Sequence, residues 1–224
     1  MIEQHIPDHY IQKYILNVLT YRQYARFRDM RPPKFDTNLY SYHLRVLQKR
    51  GMIQKTDDGY ALDKAGLLYV DRVSAKSLNI RNQPKIITMI VVQNTRGYVL
   101  LQKRTKQPYI NTWTLPYGKL HIDDVSAQVA AQREAYGKLG VEGLVMGHAG
   151  DCYIRVRQAG ELLTTTLAHV FCAETDDIVS TDEIVWVRPQ DIVDYHLAPA
   201  VEQVVARTLF RGPFFFEEFT EDLL

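Results

Sequence analysis

Cysteine is scarce: Cys152 and Cys172 are the only two in 224 residues. That excludes a disulfide-built scaffold and a cysteine-based zinc site, and leaves two reduced, partly buried thiols as the expectation. Long apolar runs are also missing. The longest, at 86–92 and 98–101, fall well short of the roughly 20 residues that cross a bilayer, so no membrane partner is expected. Residues 1–9 show no basic stretch leading into an apolar one, and the expected location is the cytoplasm. With 46% hydrophobic and 24% charged residues, neither disorder nor a coiled coil fits, and the length suits one large or two small domains.

The net charge is only +1, but it is unevenly spread. Residues 1–77 hold 13 Lys and Arg against 8 Asp and Glu, whereas the remainder holds 14 against 18. A basic half joined to an acidic half suggests two domains with different partners, the basic one facing nucleic acid.

In the basic half, Ile11, Tyr14, Ile15, Val18 and Leu19 fall at i, i+3, i+4, i+7 and i+8, the stripe of an amphipathic helix, with Asp8 near its start. A short helix is expected over 23–30, broken by Arg31-Pro32-Pro33 because proline removes a donor and disfavours helix before it. Asp36 or Thr37 then caps a helix running through Leu39, Leu44 and Leu47 to Arg50, with Gly51 as its stop. Residues 53–62 read as two short strands around an Asp58-Gly59 turn, a hairpin signal. Helix, helix, capped helix and hairpin is the order of a winged helix-turn-helix, and residues 38–53 resemble its recognition helix, the resemblance spanning about 7–73. It implies double-stranded DNA as partner: Asn38, Tyr40, Ser41, Tyr42 and Arg45 would enter the major groove, with Lys34 just upstream and Lys55 on the wing. Protein docking or dimerisation is the competing use of such a module.

Residues 78–84 suit a linker between domains 1–77 and 85–224. Beyond it come strand-like runs at 85–93 and 98–103, a central helix, further strands at 152–156, 163–172 and 184–187, and a final helix from about 198 to 209. The fold class expected is α+β, the second domain an α/β/α sandwich on a mixed sheet. The aromatic run Phe214-Phe215-Phe216 and Phe219 is expected to pack on its own body or on a second subunit.

Two segments, Trp113-Thr114-Leu115-Pro116-Tyr117-Gly118 and Arg133-Glu134-Ala135-Tyr136-Gly137-Lys138-Leu139-Gly140-Val141, resemble the signature of the Nudix superfamily, as do the neighbouring 100–104 and 183–189. The signature, G-x5-E-x7-R-E-U-x-E-E-x-G-U with U aliphatic, implies hydrolysis of diphosphates linked to a nucleoside or other group, with Mg²⁺ or Mn²⁺ held by glutamates of one helix. Here Arg133, Glu134, Gly140 and Val141 match. The adjacent glutamates are replaced by Gly137 and Lys138, the middle glutamate by Asp123 or Asp124, and Gly118 precedes Arg133 by 15 positions where the pattern has 14.

A helical frame with Val125, Val129, Tyr136 and Leu139 on the core side and Glu134, Gly137 and Lys138 opposite is expected. Lys138 lies four residues after Glu134, within ion-pair reach. Unit charges about 4 Å apart interact by roughly 4 kcal/mol at an effective dielectric of about 20, and a divalent ion facing an ammonium is repelled about twice as strongly. The usual metal site should be lost, so no cofactor is expected, and a nucleotide-like ligand would be held by Arg104, Lys119, Arg133 and Lys138, with Trp113 stacking on a base. Arg133 also has a structural reading, as partner of Asp124. His121, His148, His169 and His196 show no ligand spacing in the sequence.

The reading preferred on these residues is a homodimeric DNA-binding transcriptional regulator whose degenerate Nudix domain senses a nucleotide-like metabolite. It resembles Nudix-related regulators with the domain order reversed. The alternative is a Nudix hydrolase using Mg²⁺ or Mn²⁺ through Glu134 and Asp124, with the winged helix serving dimerisation. A third is a scaffold that binds neither.

Overall fold

A computed structural model describes residues 7–74, 82–209 and 214–223. The chain divides into two compact units, Met1–Asn82 and Gln83–Leu224. Most of the expected linker, 78–81, lies outside the described residues, as do 1–6 at the start.

The first unit opens with α1, Tyr10–Thr20, which buries Ile11, Ile15, Leu16 and Leu19 as its periodicity predicts. Its cap is His9, whose Nδ1 accepts from the Ile11 N–H at 3.2 Å, not Asp8. The helix expected over 23–30 shrinks to one 3-10 turn, Phe27–Met30. Ala25 is committed elsewhere: its N–H and C=O pair with Tyr60 at 3.0 and 2.9 Å, and an extended residue cannot also be helical.

Next comes α2, Thr37–Lys49, whose first turn is capped by Asp36 Oδ1 accepting from the N–H groups of Asn38 (2.7 Å) and Leu39 (3.2 Å). Strands β1, Ile53–Thr56, and β2, Gly59–Leu62, form the expected antiparallel hairpin. Gly59 is required there, because a Cβ would fall 2.6 Å from the Ala25 carbonyl oxygen and its φ is +135°. A further helix, α3, Lys64–Val70, follows. The inner face of α2 is corrected by one position: Tyr40 joins Leu44 and Leu47 in the core, while Leu39 is exposed.

The second unit is an eight-stranded mixed sheet between two helices, an α/β/α sandwich, so the whole chain is α+β. In chain order come β3 (Lys85–Gln93), β4 (Val99–Lys103), β5 (Trp113–Thr114), β6 (Tyr117–Lys119), α4 (Ala127–Leu139), β7 (Met146–Gln158), β8 (Glu161–Glu174), β9 (Ile184–Val187), a 3-10 turn (Pro189–Asp194), α5 (Val201–Leu209) and β10 (Phe215–Leu223). The strand path is β10-β7-β8-β3-β4-β5, with β6 pairing β3 and β9 pairing β4. β3 runs parallel to β8, and β10 parallel to β7.

Because β3 is central, both its faces are covered. Ile87, Met89 and Val91 pack toward α5 with Val201, Val204 and Val205, and Ile90 and Val92 pack toward α4 with Ala131 and Ala135. The strands at 146–158 and 161–174 are longer than expected, and α5 starts at Val201 rather than 198. The aromatic tail packs on its own body: Phe215 and Phe219 join the α5-side core through β10, while Phe214 and Phe216 stay exposed. Close approach of that strand explains Gly150, whose Cβ would lie 2.5 Å from Phe215.

Candidate functional site

Ser126 Oγ caps α4 by accepting from the Val129 N–H at 3.2 Å, and Gly140 ends it in the left-handed region at φ +72°. Of the expected core face of this helix only Leu139 packs inward. Ala130, Ala131 and Ala135 are buried; Val129 and Tyr136 are exposed, and Val125 precedes the helix. Small residues let the helix lie close to the sheet, and that places Glu134 inward. Glu134 covers Gly118 of β6 so closely that a Cβ at 118 would sit 1.9 Å from the Glu134 carboxyl carbon. The one-residue offset in the signature is therefore accommodated in the loop 120–126, since glycine and glutamate still meet.

Both carboxylate oxygens of Glu134 are taken. Oε1 accepts a short hydrogen bond from Arg133 Nη1, and Oε2 lies 3.2 Å from Lys138 Nζ. Arg133 also grips Asp124 with two bonds, Nε to Oδ1 at 3.2 Å and Nη2 to Oδ2 at 3.0 Å, and reaches the Lys119 carbonyl at 3.1 Å. Asp124 Oδ2 accepts from the His121 N–H at 2.6 Å, so this carboxylate closes the loop before α4. The Arg133 hydrogen bond, then the backbone one, holds the Asp124 carboxyl below its ordinary value, and Asp124 in turn raises Arg133.

Lys138 is half-buried. Burial pushes its pKa down and Glu134 opposes the shift. Its ammonium also lies 4.8 Å from the centre of the Tyr117 ring, which the Arg104 guanidinium approaches at 5.2 Å. Arg104 is anchored on its own loop by short bonding from Nε to the Pro108 carbonyl and a 3.3 Å bond to that of Gln107, with Tyr109 at 5.9 Å. Lys85 has its pKa lowered by burial, then by Lys119 and Arg104. Arg104, Arg133, Lys138, Lys85 and Lys119 thus crowd one end of the sheet beside two tyrosines.

The structure assembles Glu134, Asp124, Arg133, Lys138 and Arg104, with Lys119 exposed at the rim. Trp113 is different: half-buried, it meets Tyr195 edge-on at 5.7 Å and packs with the α5-side core. Tyr109, Tyr117 and Lys85 were not foreseen as site residues, although Tyr117 lies inside the signature segment. In the first unit, Lys34, Asn38, Tyr42, Arg45 and Lys55 are exposed and Ser41 half-buried. Tyr40 is a correction. It is fully buried, and its hydroxyl donates to the Phe27 carbonyl at 2.9 Å, so it is a core residue and not a base contact.

A family model for the NUDIX domain matches residues 83–208, more than half of the chain and the whole of this site. The chain belongs to the NUDIX family. Among solved structures, the NUDIX domain of Shewanella oneidensis NrtR complexed with ADP ribose is similar in fold, with a TM-score of 0.50 at 17% identity, over 65% of this chain and 97% of that one. A mutator MutT protein from Bacillus halodurans also has a TM-score of 0.50, at 16% identity, over 61% of this chain and 89% of that one. No curated protein matches the chain.

The divalent ion implied by this NUDIX signature does not fit the helix residues present. Glu134 is its one remaining carboxylate on α4, both of its oxygens are occupied by cations, and a third positive charge would have to displace Arg133 and Lys138.

Proposed function

We propose that this protein is a ligand-responsive DNA-binding transcriptional regulator whose NUDIX domain is a receptor for a nucleotide-like molecule rather than a hydrolase. The observation that carries this reading is the Lys138–Glu134 ion pair, 3.2 Å long, on the helix where carboxylates would gather. An end of the sheet rich in cations and tyrosines suits a phosphate-bearing ligand without a metal ion, Arg supplying planar forks and Lys point charges. The first unit is read as a winged helix: α2 offers Asn38, Ser41, Tyr42 and Arg45 to the major groove, Lys34 sits before it, and the β1–β2 hairpin offers Lys55 to the backbone. A homodimer would present two such helices to two half-sites, and ligand changes operator affinity only if it binds the two arrangements unequally.

The test is retention of a genomic DNA library by the full chain across a salt series. Retention that falls with salt, and falls further in Arg45→Ala and Lys55→Ala, supports the reading. No retention by the wild-type chain, with or without ADP-ribose, overturns it.

A further inference from the structure

Three side chains away from α4 converge on one point. β7 carries His148 and Asp151, three residues apart, and such spacing normally puts side chains on opposite faces of a strand. A β-bulge between His148 and Gly150 restores the parity. Asp151 now stands opposite His169 of β8, and His148 opposite Phe171, which packs on the α4 side. The two histidines and the aspartate therefore share one face.

Asp151 Oδ1 lies 3.0 Å from His148 Nε2 and 2.7 Å from His169 Nδ1. Both imidazoles aim at one oxygen. These separations approach those between neighbouring ligands around an ion bound at about 2.1 Å, so little movement would admit a cation. Among the described residues it is the one trio of His, Cys, Asp or Glu with a ligand atom from each within 4.8 Å of the others. His148 is positioned by stacking on Phe171 at 4.9 Å and by the edge of Phe214 at 5.1 Å. Thr88, the β3 register partner of His169, is fully buried with its hydroxyl lacking a hydrogen-bond partner, a further polar atom in the same row.

We propose that His148, Asp151 and His169 bind one divalent transition-metal ion of the zinc class. Two imidazole nitrogens and one carboxylate favour such an ion over Mg²⁺ or Ca²⁺, which prefer oxygen sets. Side-chain exposures of 39, 22 and 24% leave the site open, and three protein ligands leave a position for water or an oxygen anion. The donors come from β7 and β8, so α4 supplies none of the ligands. Gly118, Thr88 and His169 stand in register, which puts His169 two strand spacings, roughly 10 Å, from Gly118 on the same face, with Asp151 one strand further.

Chelator-stripped full-length protein titrated with Zn²⁺ by calorimetry, and with Co²⁺ by visible absorption, tests this. One ion per chain is expected, with affinity falling about 100-fold or more in His169→Ala and in Asp151→Asn, and no comparable binding of Mg²⁺. His148→Ala, at the most exposed ligand, gives the same loss without threatening the fold. Substoichiometric binding, binding unchanged in Asp151→Asn and His148→Ala, or binding lost in Cys152→Ser instead, overturns the proposal.

Discussion

At position 138 a half-enclosed ammonium meets Glu134 on one side and the face of Tyr117 on the other, and that arrangement sets the chemistry of α4. Reversing it should reverse the metal preference. Gly137→Glu combined with Lys138→Glu is expected to raise Mn²⁺ affinity at least about tenfold over wild type in a calorimetric titration; Gly137 has open space around its Cα, so the added side chain meets no clash. Equal Mn²⁺ affinity in the two proteins, each also carrying His148→Ala, would show that Lys138 does not govern the site. Asp124 offers a pH test. Its folded pKa lies below its unfolded value of about 3.9 because Arg133 favours the charged form. The stabilisation it gives is therefore complete above about pH 4 and is lost as pH falls through the lower, folded value. Asp124→Asn should flatten the acid limb of thermal stability against pH and leave the alkaline limb unchanged. An unaltered acid limb would mean that the Asp124–Arg133 pair contributes nothing.

Among the elements, those with unambiguous patterns were legible from sequence. The stripe of α1, the Asp36 cap of α2, the Asp-Gly hairpin and the nine-residue run of β3 all formed where periodicity placed them. Failures came where tertiary context decided. Leu39 and Tyr40 are one helical step apart, and the aromatic residue took the core because its hydroxyl found the Phe27 carbonyl. The inner face of α4 is made of alanines, which give weak apolar signal beside Val129 and Tyr136 yet permit the close approach that turns Glu134 onto Gly118. The His148–Asp151–His169 trio escaped notice because the bulge that aligns it is invisible to a strict period of two. β10 gives a prediction at this scale: Gly150→Val puts side-chain atoms into Phe215 ring and backbone, so β10 should leave β7. Hydrogen exchange over 215–223 should then rise well above wild type, and unchanged protection would contradict this docking.

For the whole molecule, charge asymmetry and composition suggested a two-part chain, and the structure divides at 82/83. The segments resembling the NUDIX signature fall within the matched family domain, and Gly118, Arg133 and Glu134 from them meet in the structure despite the missing glutamates. What sequence left open was Lys85, a cation that the sheet brings to Lys119 and Arg104. The proposed role of this site is to retain a phosphate-bearing ligand without cleaving it. The direct measurement is phosphorus NMR of ADP-ribose and a nucleoside-diphosphate panel incubated with the full chain and Mg²⁺. Signals from a bound compound should shift or broaden, and no new product resonances should appear over many hours. Product release that disappears in Glu134→Gln would contradict it.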